Sequence, residues 1–141
     1  MKKDIRTDML KNLYCSRAGK KGRGIFTSRP IRTGAVIERC EVIFFPRREV
    51  PDMRRTQLEY YYYWWKSGSA VLPLGFGVLY NHSKHPNADW INDYRSRRMI
   101  LVALRAISKD EEITVNYGLD SDEFWFSIVE DTKEKKRKKR S

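Results

Sequence analysis

Two stretches of the chain gather side chains that could do chemistry. The first is Leu79-Tyr80-Asn81-His82-Ser83-Lys84-His85-Pro86-Asn87-Ala88, with three polar residues in a row behind the apolar run Leu74 to Leu79. The second is Glu111-Glu112-Ile113-Thr114-Val115-Asn116-Tyr117-Gly118, which reads as a strand ending on Tyr-Gly. An asparagine amide carries both donor and acceptor, so Asn81 can bind a polar ligand group or pin two strands. Read as an isolated triplet, Asn81-His82-Ser83 is also an Asx-turn leading to Pro86. Tyr117 offers a phenol at a strand end, where the alternative is packing plus a turn. Upstream, Gly22-Arg23-Gly24 lets backbone approach a ligand because no Cβ intervenes, or it is simply a β-turn. None of these pieces is a hydrolase triad, a phosphate-cradling loop or a metal cluster. No nearby Cys or third His joins His82 and His85, so no metal is expected.

Short strands must position these groups. Leu13-Tyr14-Cys15 and Gly24 to Thr27 read as strands flanking a Gly- and Lys-rich loop. Val36 to Phe45 is β-rich and stops at Pro46. Residues 47–56 read as a loop or a short helical turn. Leu58 to Trp65, with four Tyr and two Trp in its last six positions, favours a strand by β-propensity. Ala70 to Tyr80 leaves open an apolar segment with backbone close to something else or a helical turn from Leu74. Ala88 to Ile91 and Arg98 to Leu104 form a hairpin about a cationic turn, and Ile113 to Asn116 is the last strand. Many short strands, Gly/Pro turns and few short helices make a mostly β domain.

Composition narrows the class. A chain of 141 residues holds one domain and one core. Its net charge of +11 is uneven, because residues 133–141 carry seven Lys/Arg against one Glu. Residues 130–141 read as a disordered basic tail. That tail is a nuclear-localisation or nucleic-acid patch, a lysine-rich substrate of the chain itself, or a solvated segment without a specific partner. Cys15 and Cys40 cannot build a disulfide framework and read as reduced thiols. No signal peptide or membrane-spanning run is present, so an intracellular protein without membrane contact is expected.

Taken together and in order, Gly22-Arg23-Gly24, Asn81-His82-Ser83 with Pro86-Asn87-Ala88, and Glu111 to Gly118 resemble the motifs of the SET-domain protein lysine methyltransferases. The resemblance covers about residues 9 to 126. It extends to the minimal viral and bacterial forms, the small viral histone lysine methyltransferase among them, in Leu74 to Gly77, Asn81 to Lys84 and Glu111 to Ile113. It implies a SET domain over residues 9–118, a β-clip of small sheets whose C-terminal segment threads as a pseudoknot and brings Tyr117 beside Asn81 and His82. It also implies S-adenosylmethionine as methyl donor. By resemblance the donor meets Gly22, Arg23, Gly24, Asn81, His82 and Tyr117, and Tyr117 is the catalytic residue. Leu58-Glu59-Tyr60-Tyr61 fits a Leu-Glu-x-Tyr pattern of short SET domains, which places Tyr61 at the lysine channel or the donor. Lys84 stands where many members have a zinc-binding Cys.

The segment 119–129, with Phe124-Trp125-Phe126, is expected to close the site where other members use a zinc-bound segment, with Trp125 stacking on adenine. A plain hydrophobic staple is the alternative. The resemblance implies a basic protein substrate, a histone tail first, and a homodimer by similarity to the viral form. Localisation would be nuclear in a eukaryote or virus and cytoplasmic in a bacterium. The rival reading is a small basic nucleic-acid-binding β domain without catalysis.

Overall fold

The computed structural model describes residues 10–117. Nine strands and one short α-helix are found among the described residues, with 3-10 turns between them. The strands are β1 (Leu13–Arg17), β2 (Arg23–Thr27), β3 (Val36–Phe45), β4 (Tyr63–Trp64), β5 (Ala70–Pro73), β6 (Asn81–His82), β7 (Ala88–Asp93), β8 (Arg98–Ala103) and β9 (Glu112–Val115). Helix α1 (Val50–Met53) has Pro51 in its first turn, where a missing N–H costs nothing.

Ten residues rich in β-branched and aromatic side chains make β3 the longest strand. Its first half pairs with β8, from Val36 opposite Val102 to Glu41 opposite Arg98. Its second half pairs with β5, from Val42 opposite Pro73 to Phe45 opposite Ala70. The result is a five-stranded sheet in the order β4-β5-β3-β8-β7. In β8, buried Met99, Leu101 and Ala103 alternate with half-buried neighbours, as a one-sided strand requires.

The second sheet runs β1-β2-β9-β6. β1 and β2 form a hairpin, while β9 joins β2 antiparallel and β6 parallel. A parallel pair needs a long crossover. Here the chain leaves the small sheet after His82, builds the β7–β8 hairpin on the large sheet, and returns as β9. Ile25, Ile37, Leu101, Ile113 and Val115 pack between the two sheets as the main core.

One expectation fails. Leu58 to Trp65 is not a strand: Gln57–Tyr60 is a 3-10 turn, and only Tyr63 and Trp64 pair with β5. The Thr56 hydroxyl caps the turn by accepting from the Leu58 N–H at 3.1 Å. Tyr62 and Trp65, three residues apart, are the buried pair of the run, so its burial does not alternate. At Ala70 to Tyr80 both alternatives are present after strand β5: the backbone at Gly77 lies close against Pro73 and Cys40, and Gly77–Leu79 is a 3-10 turn.

Candidate active site

β6 is two residues long, yet it carries the Asn-His pair. It is held because Asn81 lies opposite Thr114 and His82 opposite Val115 across the parallel pairing, and the Ser83 N–H donates to the Val115 carbonyl at 2.9 Å. The pairing puts the end of β9 beside His82. There the Tyr117 N–H donates to His82 Nδ1 at 2.8 Å, and the Tyr117 hydroxyl donates to the Tyr80 carbonyl at 2.7 Å. With Nδ1 accepting, the ring proton of His82 sits on Nε2. The adjacency expected of the threaded C-terminal segment, Tyr117 beside Asn81 and His82, is thus present.

Asn81 ties three elements. Its Nδ2 donates to the Arg23 carbonyl at 2.9 Å and to Glu112 Oε2 at 2.8 Å. Glu112 in turn pairs with Lys21 at 2.7 Å. Gly24 is where these groups close on β2. A Cβ there would collide with the Glu112 carboxylate, lie 2.8 Å from Asn81 Nδ2 and 3.0 Å from the Ala18 methyl. A side chain here would have to displace the Glu112 carboxylate and the Asn81 amide, so the glycine serves its neighbours rather than a turn. Gly22 ends the loop before β2 at φ 83 and Arg23 is exposed, its carbonyl being the part that meets Asn81.

Aromatic rings wall the other side. Tyr63 meets Tyr117 edge-on at 6.2 Å and Trp90 at 5.9 Å, and Tyr80 meets Trp90 at 5.9 Å. His82 and Tyr117 lie tilted at 5.0 Å. The Trp90 indole N–H is buried with no hydrogen-bond partner among the described residues. Of the aromatic run it is Tyr63 whose ring reaches Tyr117. Tyr61 packs against the smaller cluster of Val50, Met53, Tyr62, Ala70 and Leu72.

Beneath this wall Glu38 is only 2% exposed. It accepts from the Tyr80 hydroxyl at 2.7 Å and the Phe76 N–H at 3.0 Å. Burial raises its carboxyl above the ordinary range, with the Tyr80, Phe76 and Cys40 hydrogen bonds opposing. The Tyr80 phenol and Cys40 thiol are both pushed up, burial first and the Glu38 charge next. Asn87, 1% exposed, clamps β9: its Nδ2 donates to the Glu112 carbonyl at 2.7 Å and its Oδ1 accepts from the Thr114 N–H at 2.9 Å.

Sequence reasoning did not single out Tyr63, Tyr80, Trp90, Glu38 or Glu112. Asn87 carried a signal, the Pro86-Asn87-Ala88 triplet, without a role attached. Trp125, the segment 119–129 and the tail lie outside the described residues, as does Gly118. No group of three or more His, Cys, Asp or Glu is placed to hold a metal ion among the described residues.

Similarity to known proteins agrees with this geometry. The model of the SET domain matches residues 22–118. The chain is 37% identical over 108 residues to the histone-lysine N-methyltransferase, H3 lysine-37 specific, of Schizosaccharomyces pombe, across 76% of this chain and 71% of that protein. It also resembles the crystal structure of a candidate histone methyltransferase of Plasmodium falciparum. That match has a TM-score of 0.63 and 30% identity over 79% of this chain and 96% of that one. The chain therefore belongs to the SET-domain family. Its activity is methyl transfer from S-adenosylmethionine to protein lysine.

Proposed function

We propose that the chain methylates a histone lysine, with Tyr117 as the catalytic phenol and Gly22, Arg23, Gly24, Asn81 and His82 holding the methyl donor. The observation that carries this is the pair of hydrogen bonds fixing Tyr117 between His82 and Tyr80. S-adenosylmethionine supplies a methyl group on a sulfonium, open to in-line attack by an amine. Its amino-acid end carries both charges, and Lys21, the Arg23 carbonyl, Asn81 and Glu112 form one linked set with donors and acceptors of both signs. That donor set fits the group. Leaving water for a site walled by Tyr63, Trp90 and Tyr117 disfavours the ammonium, which a free lysine is below a pKa of about 10.4, because burial penalises the charged form. The Tyr117 oxygen, held in place, can accept from the incoming amine and orient its lone pair.

The histone substrate follows the Schizosaccharomyces pombe relative and suits a nuclear protein. We read the chain as a minimal form of the family like the small viral enzyme, with residues 9–118 as its SET domain, 119–129 as the closing flank carrying Trp125, and 130–141 as a basic tail suited to nucleic-acid contact. Trp64 and Ile91 are about half exposed, 51% and 52%, on the two edge strands β4 and β7. That exposure favours pairing of two copies, which sedimentation would read.

The test is transfer of labelled methyl from S-adenosylmethionine to core histones, to a non-histone basic protein and to the enzyme alone. Tyr117→Phe is expected to lower labelling of histones by about tenfold or more. Equal labelling by wild type and variant would remove Tyr117 from the chemistry. Label on the enzyme alone would replace the histone with the tail.

A further inference from the structure

At one end of the large sheet lies a cleft of about 340 Å³, whose Phe44 and Trp65 share a packed cluster with Tyr63 and Trp90. It is lined where β3 ends and by the β4–β5 and β7–β8 turns. Three cations, Arg47, Lys66 and Arg97, and three rings, Phe44, Trp65 and Tyr94, make most of the lining, and no acidic residue contributes. The Arg97 guanidinium stands 4.4 Å over the Phe44 ring, and the Lys66 ammonium 4.8 Å over Tyr94. Trp65 meets Tyr94 edge-on at 4.7 Å.

None of the three cations is in an ion pair among the described residues, and the neighbouring carboxylates are engaged. Glu41 holds Arg98 at 2.7 Å, Glu49 holds Arg48 at 3.7 Å, and Asp93, beside Tyr94, accepts from the Ser96 N–H at 3.2 Å. Like charges gathered in a concavity raise each other's electrostatic cost, and the focused potential draws an anion. The same potential repels a lysine-rich peptide, so this cleft is not an entry for a basic substrate.

We propose that this cleft binds single-stranded nucleic acid, with phosphates on Arg47, Lys66 and Arg97 and an unstacked base against Tyr94. An acidic peptide would use the cations and leave the rings idle. A duplex keeps its base faces stacked inside, where Tyr94, 44% exposed, could not reach them. The volume falls in the lower part of the roughly 300–1,000 Å³ range of small-ligand sites, room for one base and its phosphate. The proposal is independent of the methyl-transfer reading, because none of these residues belongs to the site around Tyr117.

The experiment is fluorescence anisotropy of a labelled oligothymidylate of about 12 nucleotides with the full chain, between about 50 and 200 mM salt. The triple variant Arg47→Gln, Lys66→Gln, Arg97→Gln is expected to reduce the salt slope by about 2, since each phosphate contact on a single strand contributes about 0.7. Tyr94→Ala is expected to weaken binding about tenfold, the loss of one stacked base. Both variants should keep their circular dichroism and their methyl transfer. Should the triple variant not fold, Arg47→Glu, outside the ring contacts, takes its place with a slope reduction of at least about 0.7.

An unchanged slope would overturn the proposal and leave binding to the basic residues 133–140. An oligoglutamate that competes as well as the oligonucleotide, with Tyr94→Ala silent, would overturn it in favour of an acidic peptide. A duplex that binds as tightly as the single strand would remove the stacking role.

Discussion

Around Tyr117 and around Tyr94 the fold gathers aromatic rings for opposite purposes. At Tyr117 the hydroxyl is what is positioned: it donates to the Tyr80 carbonyl, while the Tyr80 hydroxyl donates to buried Glu38. At Tyr94 the face of the ring is what is used, carrying Lys66, and the neighbouring Phe44 carries Arg97. The first region is built on strand pairing between β6 and β9, the second on two turns and a strand end. A phenol needs direction, and direction comes from rigid elements. A ring face needs only exposure, which turns provide.

That contrast predicts a graded series of effects. Asn87→Ala should be the most damaging, because it orphans the Thr114 N–H and the Glu112 carbonyl on β9. A loss of about 2–4 kcal/mol is expected from denaturant unfolding, with cofactor binding lost alongside. Gly24→Ala should cost about 1–3 kcal/mol through overpacking against Asn81 and Glu112. Calorimetric titration with S-adenosylmethionine should show weakened affinity, and unchanged binding would separate this corner from the donor.

Glu38→Gln should have a smaller effect that depends on pH. Burial raises the Glu38 carboxyl above its ordinary 4.5, so the folded chain holds that proton more tightly than the unfolded chain. Between 4.5 and the raised value the folded state binds more protons, and stability falls as pH rises through this window. The glutamine carries no such proton. Unfolding of both proteins across pH should therefore show the wild type losing ground to the variant above about pH 4.5. The reverse trend would mean that the three hydrogen bonds outweigh desolvation. Tyr94→Ala should be the mildest, within about 0.5 kcal/mol in stability and silent in methyl transfer. A fall in turnover there would break the separation of the two regions.

Much of the fold was legible in local pattern. The β1–β2 and β7–β8 hairpins, β3 up to Pro46 and β9 all follow from strand propensity interrupted by turn residues. The meeting of Tyr117 with Asn81 and His82 was legible only through the family resemblance, because no periodicity reports a parallel pairing across 33 residues. Glu38 was invisible for a similar reason. A glutamate in an alternating strand reads as surface, and its partners Phe76 and Tyr80 lie 38 and 42 residues away. The aromatic run misled because β-propensity scores each residue, whereas a threonine cap and two buried rings set three apart decided the local turn.

The place of β9 in the small sheet bears on how the protein is made. β9 is the last strand of the described chain, yet it sits between β2 and β6. As the chain leaves the ribosome, the β1–β2 hairpin emerges nearly ninety residues before the strand that must cover its edge, since Ile25 pairs with Ile113. At about 5–20 residues per second, that edge stays open for several seconds or more. The corner around Tyr117 can thus be completed only after β9 emerges, and the nascent chain carries an uncovered strand edge until then.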